Sequence, residues 1–185
     1  MRSKMRMMCK FKPLLFLSIF VFCLLGLKQE TMSHPTQIEW QEFRSLPQNL
    51  KNKLWQDHYS RGRKLKDWAW TWRFAWLSSC AKQPFAKCGE ILSQGLYDDA
   101  VVIRAHAAKL MGFFYQDSKH KGAVRYLAKA FQLKANYRAK QPLYIQERIL
   151  YALYLIGGSY AHNVAEKLSK VTPPTSQYWN KLKSN

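Results

Sequence analysis

Acidic residues are scarce in this sequence of 185 residues. It contains 11 Asp and Glu against 30 Lys and Arg, which gives a formal net charge of +19. Because the acids are spread along the chain, a pair of catalytic carboxylates could meet only through folding. The basic excess favours an anionic partner, such as nucleic acid, an anionic envelope component or an acidic protein. A surface that serves only solubility would have the same composition.

Catalytic and metal-binding motifs are also missing. The sequence has no H-E-x-x-H, no G-x-S-x-G and no phosphate-binding loop, and its histidines pair with carboxylates in no known motif. Ser78 to Cys80 does not resemble a nucleophile elbow. His106 lies between two alanines, as an ordinary, partly exposed helix position would. We therefore expect a non-catalytic protein without cofactor or metal.

Cysteine is used sparingly. Cys9 and Cys23 lie in the N-terminal segment, which leaves Cys80 and Cys88 as an even pair. In an oxidising compartment such a pair can form a disulfide. Pro84 between them would break one helix, open the next and let the chain fold back. The alternative is two buried free thiols, since free cysteine behaves as a small hydrophobe. Zinc would need further ligands, and none lies nearby in sequence.

Residues 1–27 have the pattern of a secretory signal. Five basic residues precede a run of 15 mostly apolar residues, Pro13 to Leu27, which is shorter than the roughly 20 residues of a spanning helix. No A-x-A site follows, so a cleaved signal peptide and an uncleaved anchor both stay open. We expect an exported protein, periplasmic or secreted, or one that contacts the membrane only through residues 13–27. Residues 28–45 are predicted to be a polar linker.

A turn, a helix rich in small residues and a glycine follow one another from Asp98 to Gly112. Asp98 or Asp99 can cap the start of this helix, and Gly112 can close its end. Ile103 begins a buried stripe with the spacing of an amphipathic helix. Arg104 is expected to bond a carboxylate or carbonyl of a neighbouring turn.

A similar pattern returns further along the chain, where Pro142 can start a helix over residues 143–156 that Gly157 ends. The segment 152–157, which ends at Gly157, echoes the segment 107–112 after 45 residues, and Arg148 lies 44 residues after Arg104. Helical repeats of the HEAT and armadillo type have a period of about 40–47 residues. No Asp occupies the place of Asp98 in the second unit, so that unit is degenerate.

These features resemble the HEAT repeat, in which an Asp, then Val or Ile, then Arg mark the turn and the second helix. Here those residues are Asp98, Ile103 and Arg104. The resemblance implies an all-α fold, a short right-handed α-solenoid of about three antiparallel helix pairs over residues 46–172. Pro173 and Pro174 would stop the last helix. A C-terminal tail, 173–185, would follow, and its Trp179 can fold back over the last apolar face. The tetratricopeptide class is the rival, with a period of about 34 residues.

A tryptophan-rich segment admits two interpretations. Trp68, Trp72 and Trp76 recur every four residues and so share one face of a helix. They either form an apolar cap that closes one end of the helical stack, or line an exposed groove beside Arg73. Such a groove could bind a sugar ring, a peptide or a base.

The charge pattern carries the functional expectation. Basic residues cluster around the helix predicted near residues 122–133, among them Arg125, Lys129 and Arg138. We expect an exported protein-interaction or scaffold module whose basic surface meets an acidic protein. One alternative is a nucleic-acid-binding protein similar to the HEAT-like glycosylases. Another is an envelope polysaccharide binder that uses the tryptophans.

Overall fold

The chain is all-α in the part that the structure describes, as predicted. A computed structural model describes residues 34–60, 65–82, 87–139 and 141–184, so the signal or anchor segment with Cys9 and Cys23 lies outside it. Nine α-helices follow one another in these ranges: α1 Gln37–Ser45, α2 Gln48–Ser60, α3 Trp70–Lys82, α4 Cys88–Gly95, α5 Val101–Phe114, α6 Lys121–Phe131, α7 Tyr144–Ile156, α8 Gly158–Ser169 and α9 Pro173–Ser184. None of them has both the length and the hydropathy that crossing a membrane requires.

The helices pack in an order that follows the chain. α2 contacts α3, α4 contacts α5, α6 contacts α7 and α8 contacts α9. The second helix of each pair also packs on the second helix of the next pair, so that α3, α5, α7 and α9 form a continuous series. The interface between α5 and α7 is the most extensive, and the buried core is centred there on Ile103, Ala107, Ile149 and Ala152.

The glycine predicted to end α5 has a different role. The helix continues past Gly112 to Phe114, and Tyr115 is its C-cap. Gly112 is buried against α7, and a Cβ atom placed on it would lie 2.7 Å from the Cα of Ala152. A side chain of any size would collide with backbone there, so glycine lets the two helices approach closely. Gly157 does end α7, as predicted, with φ of +72°.

The predicted linker, residues 28–45, contains a helix. Thr36 caps α1, because its Oγ1 accepts a hydrogen bond from the Glu39 amide at 3.3 Å. The Glu39 carboxylate in turn accepts from the Thr36 amide at 2.8 Å, which completes a capping box. Phe43 is buried and attaches α1 to the aromatic core.

The predicted tail is also helical. Residues 173–184 form α9, although the pair Pro173–Pro174 suggested a stop. Proline is tolerated in the first turn of a helix, and the Thr172 hydroxyl accepts from the Thr175 amide at 3.4 Å. Trp179 is buried on α7 and α8. The expectation that Trp179 covers an apolar face is therefore met by a helix rather than by an irregular segment.

Two connections also differ from expectation. The helix expected to open at Pro84 begins at Cys88, and Pro84 itself lies outside the described residues. The predicted basic connection after α6 contains a turn of 3₁₀ helix, Lys134–Asn136, and two short antiparallel strands, β1 Tyr137–Arg138 and β2 Gln141–Pro142. Tyr137 pairs with Pro142 and Arg138 with Gln141.

Candidate functional site

A buried network joins the turns that precede α5 and α7. The Arg104 guanidinium is 3% exposed and donates from Nε to Asn136 Oδ1 at 2.7 Å and from Nη2 to the Ala135 carbonyl at 2.8 Å. Its Nη1 donates to the carbonyls of Asp98 and Asp99, at 2.7 and 2.9 Å. Arg104 therefore ties its own turn to the turn of the next helix pair.

A second arginine repeats this link one step earlier. Arg73 Nη1 on α3 lies 3.0 Å from Asp98 Oδ2, and both side chains are nearly buried. The other oxygen of Asp98 accepts from the Ala100 amide at 2.8 Å. Asp98 therefore shapes the turn and does not cap α5, although the sequence predicted a cap there. We call the chain Arg73, Asp98, Arg104 and Asn136 the arginine relay. Arg148, expected to be its next member, is exposed on α7.

Burial is the main cause of the pKa shifts in the arginine relay. Desolvation raises the pKa of Asp98, and the Ala100 amide and the Arg73 charge oppose that rise. Desolvation likewise lowers the pKa of Arg104. The polar atoms of the relay bond to one another and to nearby backbone at hydrogen-bond distances, except Arg73 Nε, which is buried without a hydrogen-bond partner among the described residues. The relay is accordingly structural, as expected for Asp98 and Arg104 from the sequence.

The tryptophans form core and not an exposed groove. Trp68, Trp72 and Trp76 are 3%, 8% and 0% exposed, and the rings of Trp68 and Trp76 stack at 4.6 Å. Trp55 joins them and donates from Nε1 to Ser79 Oγ at 2.8 Å. Arg73 is also nearly buried. The structure thus removes these three tryptophans and Arg73 from the candidate binding surface, because no ligand can reach buried rings.

Cys80 and Cys88 lie together as buried thiols that no disulfide joins. The hydrogen bond between them, and then burial, raise the pKa of Cys80. Folding therefore brings the two cysteines together, as the sequence suggested. Their oxidation to a disulfide stays a prediction.

His106 lies beside Ser78 in an arrangement that looks like a catalytic dyad. The distance from Ser78 Oγ to His106 Nε2 is 2.7 Å, and Ser78 Oγ also donates to the Phe74 carbonyl at 2.9 Å. Because a hydroxyl has one proton, both bonds form together only when His106 Nε2–H is the donor to Ser78. A histidine that donates to the serine does not take its proton, so the pair does not activate a nucleophile.

Burial against α3 keeps His106 neutral. Its ring stacks on Phe74 with centroids 3.8 Å apart. Desolvation, with help from Lys109, lowers the pKa of His106 to about 4. This environment could not be predicted from the sequence, because the residues that bury His106 come from another helix.

We expect His106 to make the fold acid-sensitive. Its pKa is about 4 in the folded chain and 6.5 in the reference state, so between these values only the unfolded chain takes up the proton. Stability from this group is complete above pH 6.5 and falls by about 3 kcal/mol as the pH drops to 4. Urea unfolding from pH 7 to pH 4 measures this loss.

His106→Gln is the matched variant, because its amide can still donate to Ser78 but does not titrate. The free energy of unfolding of the wild type, minus that of the variant, should fall steadily as the pH is lowered from 7 to 4. Parallel stability curves for the two proteins over this pH range would contradict the assignment.

The other predicted surface residues are available to solvent. Arg125, Lys129 and Arg138 are all exposed, the first two one turn apart on α6. The sequence has no Asp or Glu between Asp117 and Glu147 but seven Lys or Arg. We call Arg125, Lys129 and Arg138 the basic surface.

A cleft of about 180 Å³ opens where α1, α2 and α3 meet. Trp40, Phe43 and Phe74 supply apolar walls, and Arg44 and Lys51 supply two cations. Lys51 Nζ donates to the Arg44 carbonyl at 2.9 Å and lies 5.3 Å above the ring of Phe43. The cleft is large enough for one side chain and is smaller than most small-molecule pockets.

Among the described residues, no three His, Cys, Asp or Glu side chains converge as a metal site requires. Comparison of the chain with protein-family models, with curated proteins and with solved structures found no match.

Proposed function

We propose that the chain is a HEAT-like right-handed α-solenoid that acts as a non-catalytic protein-binding or scaffold module. The continuous series of α3, α5, α7 and α9 supports this architecture, because a solenoid packs each repeat on its neighbours. The arginine relay supports it as well, since it joins one turn to the next in the same way twice. An extended surface, rather than one catalytic centre, is what such a stack presents.

The partner we propose is a protein with an acidic surface. The observation that carries this proposal is the absence of any carboxylate between Asp117 and Glu147 in the sequence, where the basic surface lies. Exposed cations with no acidic residue nearby in sequence contribute a positive field that attracts anions. Contact there should weaken as salt is added, since the Debye length falls to about 8 Å at physiological ionic strength.

Charge reversal of the basic surface tests the proposal. Poly-glutamate with a fluorescent label serves as the acidic probe, and its affinity is measured by anisotropy. We expect the triple variant Arg125→Glu, Lys129→Glu and Arg138→Glu to bind about tenfold more weakly or worse at low salt. The control carries Lys53→Glu, Lys167→Glu and Lys181→Glu, three exposed positions that give the same change in net charge.

Equal loss in the triple variant and its control would refute a localised site, because net charge alone would then explain binding. A DNA duplex and vesicles that contain anionic lipid are titrated in parallel. Tighter, surface-dependent binding of DNA would replace the acidic protein by nucleic acid. Tighter binding of the vesicles would replace it by an envelope component.

We also propose that the protein is exported, periplasmic or secreted, or anchored through residues 13–27. The basic and then apolar N-terminal sequence supports this. Cell fractionation with intact mass tests it, and a full-length cytoplasmic chain would refute it. In an oxidising compartment the Cys80–Cys88 pair should lose two hydrogens in mass, because its thiols already lie together.

A further inference from the structure

A line of aromatic and basic side chains runs across the helices that form the continuous series. It starts at the cleft wall, where Phe74 stacks on His106, and His106 lies near Lys109. Lys109 Nζ lies 5.8 Å from the ring centroid of Phe113, which meets Tyr151 edge-on at 6.3 Å. We call this line, with Tyr178 at its end, the aromatic row: Phe74, His106, Lys109, Phe113, Tyr151 and Tyr178.

The row continues from α7 to α9 and is partly open to solvent, because its rings other than Phe113 are half-buried. Tyr178 lies close enough to Tyr151, Arg148 and Glu147 for their charges to act on it. Phe113 is 43% exposed, and Lys109 and Arg148 are exposed as well. These side chains come from four different helices, so the row is a product of the packing and not of any one helix.

We infer that the aromatic row and the cleft form a docking site for an extended acidic peptide segment with aromatic or aliphatic side chains. The cleft takes one apolar side chain between Phe43 and Phe74. Arg44 and Lys51 at the cleft, Lys109 in the middle and Arg148 near the far end would meet carboxylates. Rings between these cations would pack on the apolar side chains of the segment.

The spacing of the charges favours a polypeptide over a polynucleotide. Cations occur at three places separated by rings, and Glu147 lies among them near Tyr178. A polynucleotide carries a phosphate at every nucleotide, so the Glu147 carboxylate would repel it. Carboxylates interspersed with apolar side chains fit this pattern better.

The length of the site can be estimated from the helix packing. Neighbouring helices lie about 8–10 Å apart, so three steps from α3 to α9 span roughly 25–30 Å. An extended chain advances about 3.3–3.6 Å per residue, so about eight residues would cover the row. This inference rests on the proposed binding function but uses different helices from the basic surface.

The test compares two labelled polymers, a random copolymer of glutamate and tyrosine and poly-glutamate. We expect the wild-type full chain to bind the copolymer more tightly. The double variant Phe113→Ala and Tyr151→Ala should bind the copolymer about tenfold more weakly, with less than twofold change for poly-glutamate. Tyr160→Ala is the control, because Tyr160 is similarly exposed, at 41%, but lies on α8.

Phe113→Ala alone and Lys109→Glu keep the test valid if the double variant is poorly folded. Both positions are exposed, so thermal unfolding should change little, while copolymer binding should fall in each. Undiminished copolymer binding in these variants would overturn the inference. Loss of all copolymer binding in the triple charge-reversal variant of the basic surface would also overturn the inference. The basic surface would then be the one binding site, and the proposed function would still hold. If oligothymidylate binds and these variants weaken it equally, the peptide assignment is wrong. If neither polymer binds the wild type, both proposals fail.

Discussion

Arg104→Ala should lower the free energy of unfolding by about 4 kcal/mol. The substitution leaves the buried Asn136 side-chain oxygen and the carbonyls of Asp98 and Ala135 without their donor. The Asn136 oxygen and the Asp98 carbonyl are buried and have little access to replacement water, so each costs a desolvation penalty. Urea unfolding followed by circular dichroism measures the change.

Arg148→Ala is the matched control for Arg104. Arg148 is the residue that the repeat pattern pairs with Arg104, but it is exposed on α7, so its loss should cost no more than about 0.5 kcal/mol. Arg104→Lys should lie between the two, because an ammonium group lacks the planar fork that reaches two turns at once. If Arg104→Ala is as mild as Arg148→Ala, the relay contributes nothing to stability.

Gly112→Val should be nearly as damaging, with a loss of about 3 kcal/mol. A Cβ at this position would lie 2.7 Å from the Cα of Ala152, and backbone cannot move aside as a flexible side chain can. The helices α5 and α7 would have to separate across the most extensive interface of the fold. Thermal and urea unfolding both report the loss.

Gly112→Ala should fall between wild type and Gly112→Val, because the higher helix propensity of alanine offsets about 1 kcal/mol of the collision. Gly122→Ala on α6 is the control. There the nearest atom to an added Cβ is in the His120 side chain, at 2.9 Å near the surface, so the change should stay within about 1 kcal/mol. Similar stability of Gly112→Val and wild type would refute the close approach.

The sequence predicted helices well where the apolar period is strong. The stripe that begins at Ile103 is buried in α5, and α7 runs over the predicted residues to Gly157. It failed at α1 and α9, where few buried residues mark the helix. For α1, Thr36 and Glu39 already had the spacing of a capping box, and that signal was sufficient to predict a helix start.

The relay and the binding surfaces were less accessible to sequence reasoning. That Arg104 reaches a neighbouring turn was predicted, but its partner Asn136 lies 32 residues away, and only the packing of α5 on α7 brings them together. The same holds for Phe113 and Tyr151. For the tryptophans, period alone gave a shared face but could not decide whether that face meets the core or the solvent.

The arginine relay ends at Asn136, so successive helix pairs are held together by two kinds of contact. From α3 to α7, buried polar contacts at the turns link each helix pair to the next. Opening one pair therefore leaves a buried charge in its neighbour without its partner. The last pair, α8 and α9, has no such link to α7 among the described contacts. Its polar contacts, Thr175 with Ser169 and Glu166 with Trp179 and Lys183, lie within the pair. The three helix pairs from α2 to α7 therefore open as one cooperative unit, whereas α8 and α9 can detach by themselves and exchange their amide hydrogens first.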